Sequence, residues 1–372
     1  MKAIGIILAG GNNNRMKELT AKRAVPALPV AGSFRSIDFA LSSMSNSHIQ
    51  TVAVLTQYNA RSLNEHLSSS KWWNFGRKQG GLFLFTPTVT ADNSDWYRGT
   101  ADAMYQNIDF LKRRHEPYVI ISSGDCVYKL DFNRVLDFHI EKKSDITVVC
   151  KDMMYNDDVS RFGVVRMDDE SRITEFDEKP IEALSNTIST GIYVIRRRQL
   201  IELLEAAAEE NRFDFVNDIL VRYKNVKKIY GYKINSYWNN IDDIDAYFKT
   251  NMDFLRPDIR SYFFREEPTI CSKVDDLPPA KFNPGSDISN SLVSSGCIIN
   301  GSVEDSVLFK QVFVGKNTTV KNCVLLNDVY IGDNVHLENC IVESRGTINP
   351  NTCYCGEDGV MIVKEKNVRY VI

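Results

Sequence analysis

Two patterns of hydrophobic and polar positions divide the chain. Up to about residue 250, short apolar runs alternate with segments in which apolar positions recur every three or four residues. The first pattern is typical of buried strands and the second of amphipathic helices, so their alternation predicts an α/β layer architecture. The predicted strands are Ile4–Leu8, Thr51–Leu55, Tyr118–Ser122 and Asp145–Cys150, and the predicted helices are Ala101–Arg114, Leu200–Ala208 and a segment from Asp242 or Asp243 towards Phe254.

The pattern changes at about residue 285, where the helical periodicity ends. Apolar pairs then recur every six residues, and the run from Val312 to Val320 is repeated by the run from Val329 to Leu337. A hexapeptide period predicts a parallel β-helix, in which the inward residues of each turn stack on the turn below. An antiparallel sheet with Gly-Asp-Asn hairpin turns is the alternative. The closing Cys353-Tyr-Cys355 segment is interpreted as an edge or cap of this region.

The domain boundaries follow from these patterns. We expect an α/β domain at residues 1–255, a linker at 256–284 that contains Pro257, Pro278 and Pro279, and the β-helix at 285–372. A chain of 372 residues is long enough for two domains with a sizeable core.

Composition and charge exclude several classes of function. A net charge of −3 gives no reason to expect a nucleic-acid partner. No apolar run approaches the roughly 18–20 residues of a membrane span, and no basic segment precedes the first apolar run, so neither a membrane partner nor a signal peptide is expected. The eight cysteines include no Cys-x-x-Cys pair, and most lie in apolar runs. We therefore expect a reduced, cytoplasmic protein without a zinc site.

The first predicted strand leads into a loop that contains Gly10, Gly11 and Arg15. Because glycine has no Cβ, backbone N–H groups in such a loop approach a phosphate closely. The loop matches neither a Walker A loop nor Gly-x-Gly-x-x-Gly. It resembles the Gly-Gly-x-Gly-x-Arg-Leu signature of sugar-1-phosphate nucleotidyltransferases, except that Asn13 stands in the place of the third glycine.

Two further segments carry groups that suit a nucleotide. Lys22 and Arg23 follow the glycine loop and can meet phosphate groups, although for either residue alone a solvated loop is the preferred interpretation. The run Trp96-Tyr97-Arg98-Gly99-Thr100 precedes a predicted helix. Its aromatic rings and the helix N-terminus can stack a base and bind an anion, with a simple helix cap as the alternative.

Two segments suit a metal and a sugar phosphate. Asp125 follows the end of a buried strand, where doubly wound sheets place ligand groups, and a single carboxylate there suits Mg²⁺. A turn-capping role for this aspartate is the alternative. Glu178 and Lys179 can bind sugar hydroxyls and a sugar phosphate, or form an exposed charged turn.

Together and in this order, these segments resemble bacterial ADP-glucose pyrophosphorylase (glucose-1-phosphate adenylyltransferase). The resemblance covers nearly the whole chain, and the Trp96–Asp102 run and Tyr58 are specific to that family. It implies a Rossmann-like nucleotidyltransferase domain, with a mixed and mostly parallel sheet, followed by a left-handed parallel β-helix for oligomerisation and regulation. It also implies the glycogen-biosynthesis reaction of ATP and glucose 1-phosphate to ADP-glucose and pyrophosphate, in which Mg²⁺ and cations neutralise charge.

The resemblance also implies roles for individual residues. Arg15 would contact the ATP phosphates, and Asp125 would hold the metal; these two are the catalytic candidates. The nucleotide-binding candidates are Gly10, Gly11, Gln57, Tyr97, Gly99 and Thr100. The sugar-phosphate candidates are Glu178, Lys179, Ser189, Gly191 and Tyr193.

Four positions depart from the family pattern. Asn13 replaces a loop glycine, Val25 replaces a lysine, Asn217 stands where a lysine is usual, and Asn240 replaces the aspartate that would partner Asp125 at the metal. Each lost electrostatic group removes roughly 2–4 kcal/mol of transition-state stabilisation, although the losses need not add. Mg²⁺ is therefore expected to be weakly held, and no other cofactor is expected.

This pattern is similar to the GlgD-type regulatory subunit, which accompanies a catalytic GlgC-type subunit in a heterotetramer. We expect a chain with little or no activity alone, and we expect Lys22 and Arg23 to bind an anionic metabolite or nucleotide effector. A catalytically competent glucose-1-phosphate adenylyltransferase is one alternative. A stand-alone nucleotide or sugar-phosphate sensor is another.

Overall fold

The computed structural model describes residues 2–11, 14–76, 80–88, 96–154 and 157–366. Its N-terminal part contains thirteen strands and eight α-helices among these residues. The strands are β1 Ala3–Leu8, β2 Pro29–Val30, β3 Phe34–Arg35, β4 Thr51–Leu55, β5 Gly81–Phe85, β6 Tyr118–Ser123, β7 Cys126–Tyr128, β8 Ile146–Asp152, β9 Gly163–Met167, β10 Ile173–Glu178, β11 Thr187–Arg196, β12 Ile229–Lys233 and β13 Trp238–Asn240. The α-helices are α1 Ser36–Asn46, α2 Arg61–Leu67, α3 Thr100–Tyr105, α4 Ile108–Lys112, α5 Phe132–Glu141, α6 Arg197–Glu209, α7 Ile244–Asp253 and α8 Pro257–Phe264. Short 3₁₀ segments cover Asn14–Thr20, Val25–Ala27 and Ser70–Trp73, and a π-helical segment covers Val216–Val221.

A nine-stranded mixed sheet forms the centre of this domain. Its main path runs β10-β9-β11-β6-β1-β4-β5, and β8 joins β11 to β12. The pairs β6-β1, β1-β4 and β4-β5 are parallel, whereas β11 is antiparallel to β6, β8 and β9. The parallel strands are continuous apolar runs because helices cover both faces of the sheet. This arrangement confirms the predicted mixed α/β domain.

The predicted helix at 101–114 is two helices, α3 and α4. The break lies at Asn107, whose side-chain amide donates to the Ala103 carbonyl and to the Tyr97 hydroxyl. Bonds of this kind between an asparagine side chain and the backbone compete with the regular helical ladder. The predicted start of α7 is confirmed at Asp243, whose carboxylate accepts a hydrogen bond from the Ala246 N–H at 2.7 Å.

The C-terminal part is a parallel β-helix. Three sheets of five strands each run β14-β17-β20-β23-β26, β15-β18-β21-β24-β27 and β16-β19-β22-β25-β28, and every pair is parallel. This finding is consistent with the predicted left-handed β-helix, and the antiparallel alternative is wrong. The strands are β14 Lys281–Phe282, β15 Asp287–Ser289, β16 Leu292–Val293, β17 Ile298–Ile299, β18 Ser302–Glu304, β19 Val307–Leu308, β20 Phe313–Val314, β21 Thr319–Lys321, β22 Val324–Leu325, β23 Tyr330–Ile331, β24 His336–Glu338, β25 Cys340–Val342, β26 Thr347–Ile348, β27 Cys353–Cys355 and β28 Met361–Val363.

The 17-residue repeat has a direct structural basis. Val303, Val320 and Leu337 stack inward in neighbouring turns. The corners use asparagines with left-handed backbone, and the Asn334 amide donates to the Asn351 side chain one turn further on, at 3.0 Å. Asparagine tolerates this conformation better than other residues with a side chain, which explains its recurrence in the sequence. The strands begin at Lys281, before the expected start at residue 285, and α8 lies inside the expected linker.

An aromatic and aliphatic core joins the two parts of the chain. Phe39, Phe254 and Phe263 belong to a buried cluster that also contains Val307 and Val324 of the β-helix. The ring of Phe263 lies 5.3 Å from that of Phe39 and 5.4 Å from that of Phe254, centroid to centroid. The β-helix is therefore packed against the α/β domain through a continuous apolar core.

Helices that could cross a membrane are absent from the described ranges, since none combines sufficient length with sufficient hydropathy.

Replacing Phe263 by alanine should destabilise the protein by about 3–5 kcal/mol, because the substitution leaves a cavity in the core between the two domains. The free energy of unfolding from urea titration checks this expectation. Phe282→Ala is the control, since Phe282 is 51% exposed in β14 and its loss should change stability by less than about 0.5 kcal/mol. Equal effects of the two variants would contradict the packing described above.

Candidate functional site

A pocket of about 690 Å³ opens at the carboxyl ends of β1, β4 and β6, and we refer to it as the main pocket. Ligands of open α/β sheets bind at this edge. Most of the predicted nucleotide and metal candidates line it. The lining residues are Leu8, Ala9, Gly10, Gly11, Asn14, Arg15, Val25, Pro26, Leu55, Gln57, Tyr58, Tyr97, Arg98, Gly99, Thr100, Ala103, Ser123, Asp125, Arg161, Phe162, Lys179, Asn240 and Asp242.

The glycine loop and Gln57 form one wall of the main pocket. Gly10 packs beside Gln57, where an added Cβ would lie 3.4 Å from the Gln57 Cβ. The Gln57 side chain accepts a hydrogen bond from the Tyr97 N–H at 2.6 Å and donates to the Tyr97 carbonyl at 3.3 Å. Gln57 thus joins the end of β4 to the segment before α3. The nearby rings of Tyr58 and Trp96 stack with centroids 5.7 Å apart, and both rings are exposed.

α3 begins at Thr100, directly after Gly99, and its first turn packs against the backbone at Phe213. The N–H of Ala101 donates to the Phe213 carbonyl at 2.8 Å, and the Thr100 hydroxyl accepts from the Phe215 N–H at 2.9 Å. The backbone at Gly99 is extended, but a Cβ there would overlap the Phe213 carbonyl oxygen. Glycine is required at this position by close approach of two backbone segments.

Asp125 and Asn240 lie together at the end of β6. Asn240 pairs with Cys126 in the β7-β13 ladder, and both Asp125 and Asn240 line the main pocket. The Ser123 hydroxyl donates to Asp125. The Asn240 Oδ1 atom is buried and has no hydrogen-bond partner among the described residues. A buried, unpartnered oxygen beside a carboxylate is a donor set that fits Mg²⁺, with one negative charge fewer than an aspartate pair provides.

Asp242 and Arg161 are pocket residues that the sequence analysis did not identify. The Asp242 carboxylate contacts Arg15 at 3.2 Å and Arg161 at 3.2 Å, and its side chain is only 13% exposed. Burial raises the pKa of Asp242, while the guanidinium groups of Arg161 and Arg15 oppose that rise. Arg161 also pairs with Asp243. Because Arg161 and Asp242 are 81 positions apart, no local motif indicates this contact.

Of the five sugar-phosphate candidates, only Lys179 lines the main pocket. Lys179 Nζ lies 3.6 Å from Glu178 Oε1, and burial raises the pKa of Glu178. Ser189 and Tyr193 are buried in β11, with their hydroxyl oxygens 3.3 Å apart. Between them Gly191 adopts a φ of +73°, at an irregularity in the pairing of β11 with β8. Glu178 ends β10, whereas Ser189, Gly191 and Tyr193 belong to β11, and β9 lies between these two strands in the sheet.

The two effector candidates have different surroundings. Lys22 is exposed, whereas Arg23 is half-buried and its Nη2 atom lies 2.5 Å from Glu343 Oε1 of the β-helix. Arg23 also donates to the Ser344 hydroxyl at 3.2 Å. Burial raises the pKa of Glu343, and the charge of Arg23 opposes this effect. Arg23 therefore has a structural role at the contact between the domains.

Three of the four departures from the family pattern can be located. Val25 is buried at the floor of the main pocket, where it offers no charge. Asn240 is described above. Asn217 is exposed in the π-helical segment and does not line the main pocket. Asn13 lies outside the described residues.

Gly99→Ala should lower the free energy of unfolding by about 1–3 kcal/mol, because the new methyl group displaces the Phe213 backbone. Gly11→Ala is the matched control, since a Cβ at Gly11 meets no atom within 4 Å among the described residues. Urea unfolding of both variants checks the expectation. Unchanged stability of Gly99→Ala would show that the two segments are not held as tightly as described.

Comparisons with known proteins agree with this geometry. The nucleotidyl transferase family matches residues 4–256, and the GlmU-like C-terminal hexapeptide family matches residues 278–362. The chain is 38% identical to the glucose-1-phosphate adenylyltransferase of Clostridium novyi (strain NT), over 85% of this chain and 83% of the relative. It is 36% identical to the Bacillus subtilis (strain 168) enzyme of the same name, over 86% of this chain and 84% of the relative. It is also 36% identical to the Geobacillus stearothermophilus enzyme of that name, over 85% of this chain and 82% of the relative. With its nucleotidyltransferase domain and its hexapeptide β-helix, the chain belongs to the glucose-1-phosphate adenylyltransferase family.

Proposed function

We propose that this chain is a regulatory subunit of a glucose-1-phosphate adenylyltransferase complex, with little or no catalytic activity of its own. The complex would join ATP and glucose 1-phosphate to give ADP-glucose and pyrophosphate for glycogen synthesis. One observation carries the proposal: the Asp242 carboxylate lies between Arg15 and Arg161 inside the main pocket.

The position of Asp242 affects phosphate binding directly. Arginine guanidinium groups bind phosphate oxygens through charge-assisted hydrogen bonds. In this pocket, two of these groups already contact a carboxylate that is largely shielded from water. A polyphosphate must displace that carboxylate and is also repelled by it. Asp242 thus weakens the electrostatic stabilisation on which phosphoryl transfer depends.

The metal-binding groups support the same proposal. Asp125 and the Oδ1 atom of Asn240 would hold Mg²⁺, which supplies charge neutralisation to phosphate oxygens when bound. Asn240 offers an oxygen without a negative charge, so this pair attracts a hard divalent cation less strongly than two carboxylates. Val25 adds no cation to the pocket floor. Nucleotide affinity and turnover are both reduced by these substitutions.

One short segment, residues 14–25, supports the proposed regulatory role. Arg15 and Val25 line the main pocket, while Arg23 contacts Glu343 and Glu18 contacts Lys364 at 2.9 Å. The same short segment therefore contacts both the pocket and the β-helix. A ligand or partner that shifts the β-helix contact would move groups in the pocket, which is the kind of coupling that a regulatory subunit requires.

A catalytically competent enzyme is the second candidate, and Asp242 also provides the observation that favours it. Asp125 and Asp242 line the same pocket, and the charge of Asp125 is among the smaller causes, after burial, that raise the pKa of Asp242. Asp242 could then supply the carboxylate that Asn240 lacks. The two candidates predict opposite effects of removing the charge of Asp242.

Asp242→Asn should strengthen binding of ATP and of pyrophosphate by about tenfold, the equivalent of about 1.4 kcal/mol. The reason is that the substitution removes the charge of a carboxylate that contacts both Arg15 and Arg161 and that repels phosphate. Isothermal titration calorimetry with each ligand, in the presence and absence of Mg²⁺, provides the measurement. Asp245→Asn is the control, since Asp245 is an exposed aspartate in the first turn of α7.

Either of two outcomes would contradict the regulatory proposal. Unchanged or weaker binding by Asp242→Asn would show that the carboxylate does not oppose phosphate. Substantial turnover by the unmodified chain that is lost in Asp242→Asn would identify Asp242 as a metal ligand of an active enzyme.

Co-expression with a catalytic glucose-1-phosphate adenylyltransferase chain should give a mixed tetramer whose response to anionic effectors differs from that of the catalytic chain alone. Lys22→Ala should weaken that response and leave assembly intact, because Lys22 is exposed. Arg23→Ala should also weaken it, but at a cost in stability, because the buried Glu343 loses the cation that it pairs with. Size-exclusion chromatography and effector titrations test both expectations. Separate elution with unchanged partner kinetics would favour the sensor alternative.

A further inference from the structure

Four side chains with metal-binding groups lie together on the outer face of the β-helix. His336 and Glu338 belong to β24, and Cys353 and Cys355 belong to β27, the next turn of the same sheet. The pairing places His336 beside Cys353 and Glu338 beside Cys355. The intervening Leu337 and Tyr354 point inward, so the four side chains share the outer face.

The distances within this group suit one tetrahedral ion. His336 Nε2 lies 3.6 Å from Glu338 Oε2, and the sulfur atoms of Cys353 and Cys355 lie 3.6 Å apart. Ligand atoms of His336, Glu338 and Cys355 all lie within 4.8 Å of one another. Ligands at Zn²⁺ distances of about 2.0–2.3 Å are separated by about 3.3–3.8 Å in a tetrahedron. His336, Glu338 and Cys355 are thus near enough to share one ion, and Cys353, whose sulfur lies 3.6 Å from that of Cys355, is the candidate for the fourth ligand.

The residue types are unusual for a solvent-facing surface. Reduced cysteine is among the most frequently buried residues, and five of the eight cysteines of this chain are buried. Cys353 is exposed and Cys355 is half-buried, and both face a histidine and a glutamate. A surface ion pair is a sufficient explanation for His336 and Glu338. It does not explain why two thiols lie beside them on the next turn.

We propose that His336, Glu338, Cys353 and Cys355 form a binding site for a thiophilic divalent cation of the Zn²⁺ class. Thiolate and imidazole ligands in a tetrahedral arrangement select Zn²⁺ over Mg²⁺ or Ca²⁺. The ion would tie β24 to β27 near the C-terminal end of the β-helix. The sequence expectation of no zinc site rested on spacing along the chain, whereas here the 17-residue repeat brings the ligands together. The site is separate from the main pocket and does not depend on the proposed function.

The experiment uses the full chain, freed of metal with a chelator and kept under a phosphine reductant. Titration with Co²⁺ should give thiolate-to-cobalt absorption in the near ultraviolet and visible bands of tetrahedral Co²⁺, saturating at one ion per chain. Zn²⁺ should displace the Co²⁺ and abolish these bands. Calorimetric titration with Zn²⁺ should give the same stoichiometry.

The variants separate this site from incidental thiol binding. Replacing both Cys353 and Cys355 by serine should abolish the charge-transfer absorption. His336→Gln should weaken Zn²⁺ binding by at least about 10–100-fold, since removal of an outer-shell partner alone costs that much. Cys271→Ser is the matched control, because Cys271 is also an exposed cysteine and lies outside the cluster. That variant should bind Co²⁺ and Zn²⁺ like the unmodified chain.

Thermal unfolding provides a readout that does not require any enzymatic activity. Zn²⁺ should raise the Tm of the unmodified chain and of Cys271→Ser, but not that of the variant without Cys353 and Cys355. The proposal is overturned if cobalt gives no thiolate absorption or if binding survives loss of both cysteines.

Discussion

The contact of Asp242 with Arg15 and Arg161 is the interaction on which the functional account depends. A carboxylate that is mostly shielded from water contacts two guanidinium groups inside the main pocket. The glycine loop, Gln57 and the start of α3 line the same pocket, at the edge of the sheet where open α/β folds bind ligands. Under the proposed function, Asp242 already neutralises part of the positive charge that the phosphates of a nucleotide would meet. The chain therefore keeps the nucleotidyltransferase fold, and we propose that this pocket binds anions weakly.

The segment that carries Arg15 also connects the two domains. Arg23 reaches Glu343 of the β-helix eight positions after Arg15, and Val25 returns the chain to the pocket floor. Met16, Leu19 and Val25 belong to the buried cluster that includes Val307 and Val324. Because this core is continuous, a displacement of the β-helix cannot be absorbed by a loose hinge at this point. Through this packing, a movement of the β-helix would be passed to pocket residues such as Val25, in addition to the expected role of the β-helix in assembly.

Much of this architecture is predictable from the sequence because local patterns encode it. Buried parallel strands such as Thr51–Leu55 are continuous apolar runs, and the 17-residue repeat specifies the β-helix. Other features depend on contacts between distant residues. The break between α3 and α4 arises from the Asn107 side chain, and the pairing of Arg161 with Asp242 joins positions 81 residues apart. Likewise, Cys353 meets His336 only through the register of two turns.

The turnover of the purified chain, measured alone and together with a catalytic glucose-1-phosphate adenylyltransferase chain, tests the central claim most directly. The assay contains ATP, Mg²⁺ and glucose 1-phosphate and follows release of pyrophosphate. The account predicts turnover far below the ordinary enzyme range of about 1–10³ s⁻¹ for the chain alone, and altered kinetics of the catalytic chain in the mixture. Turnover within that range by the chain alone would contradict the account.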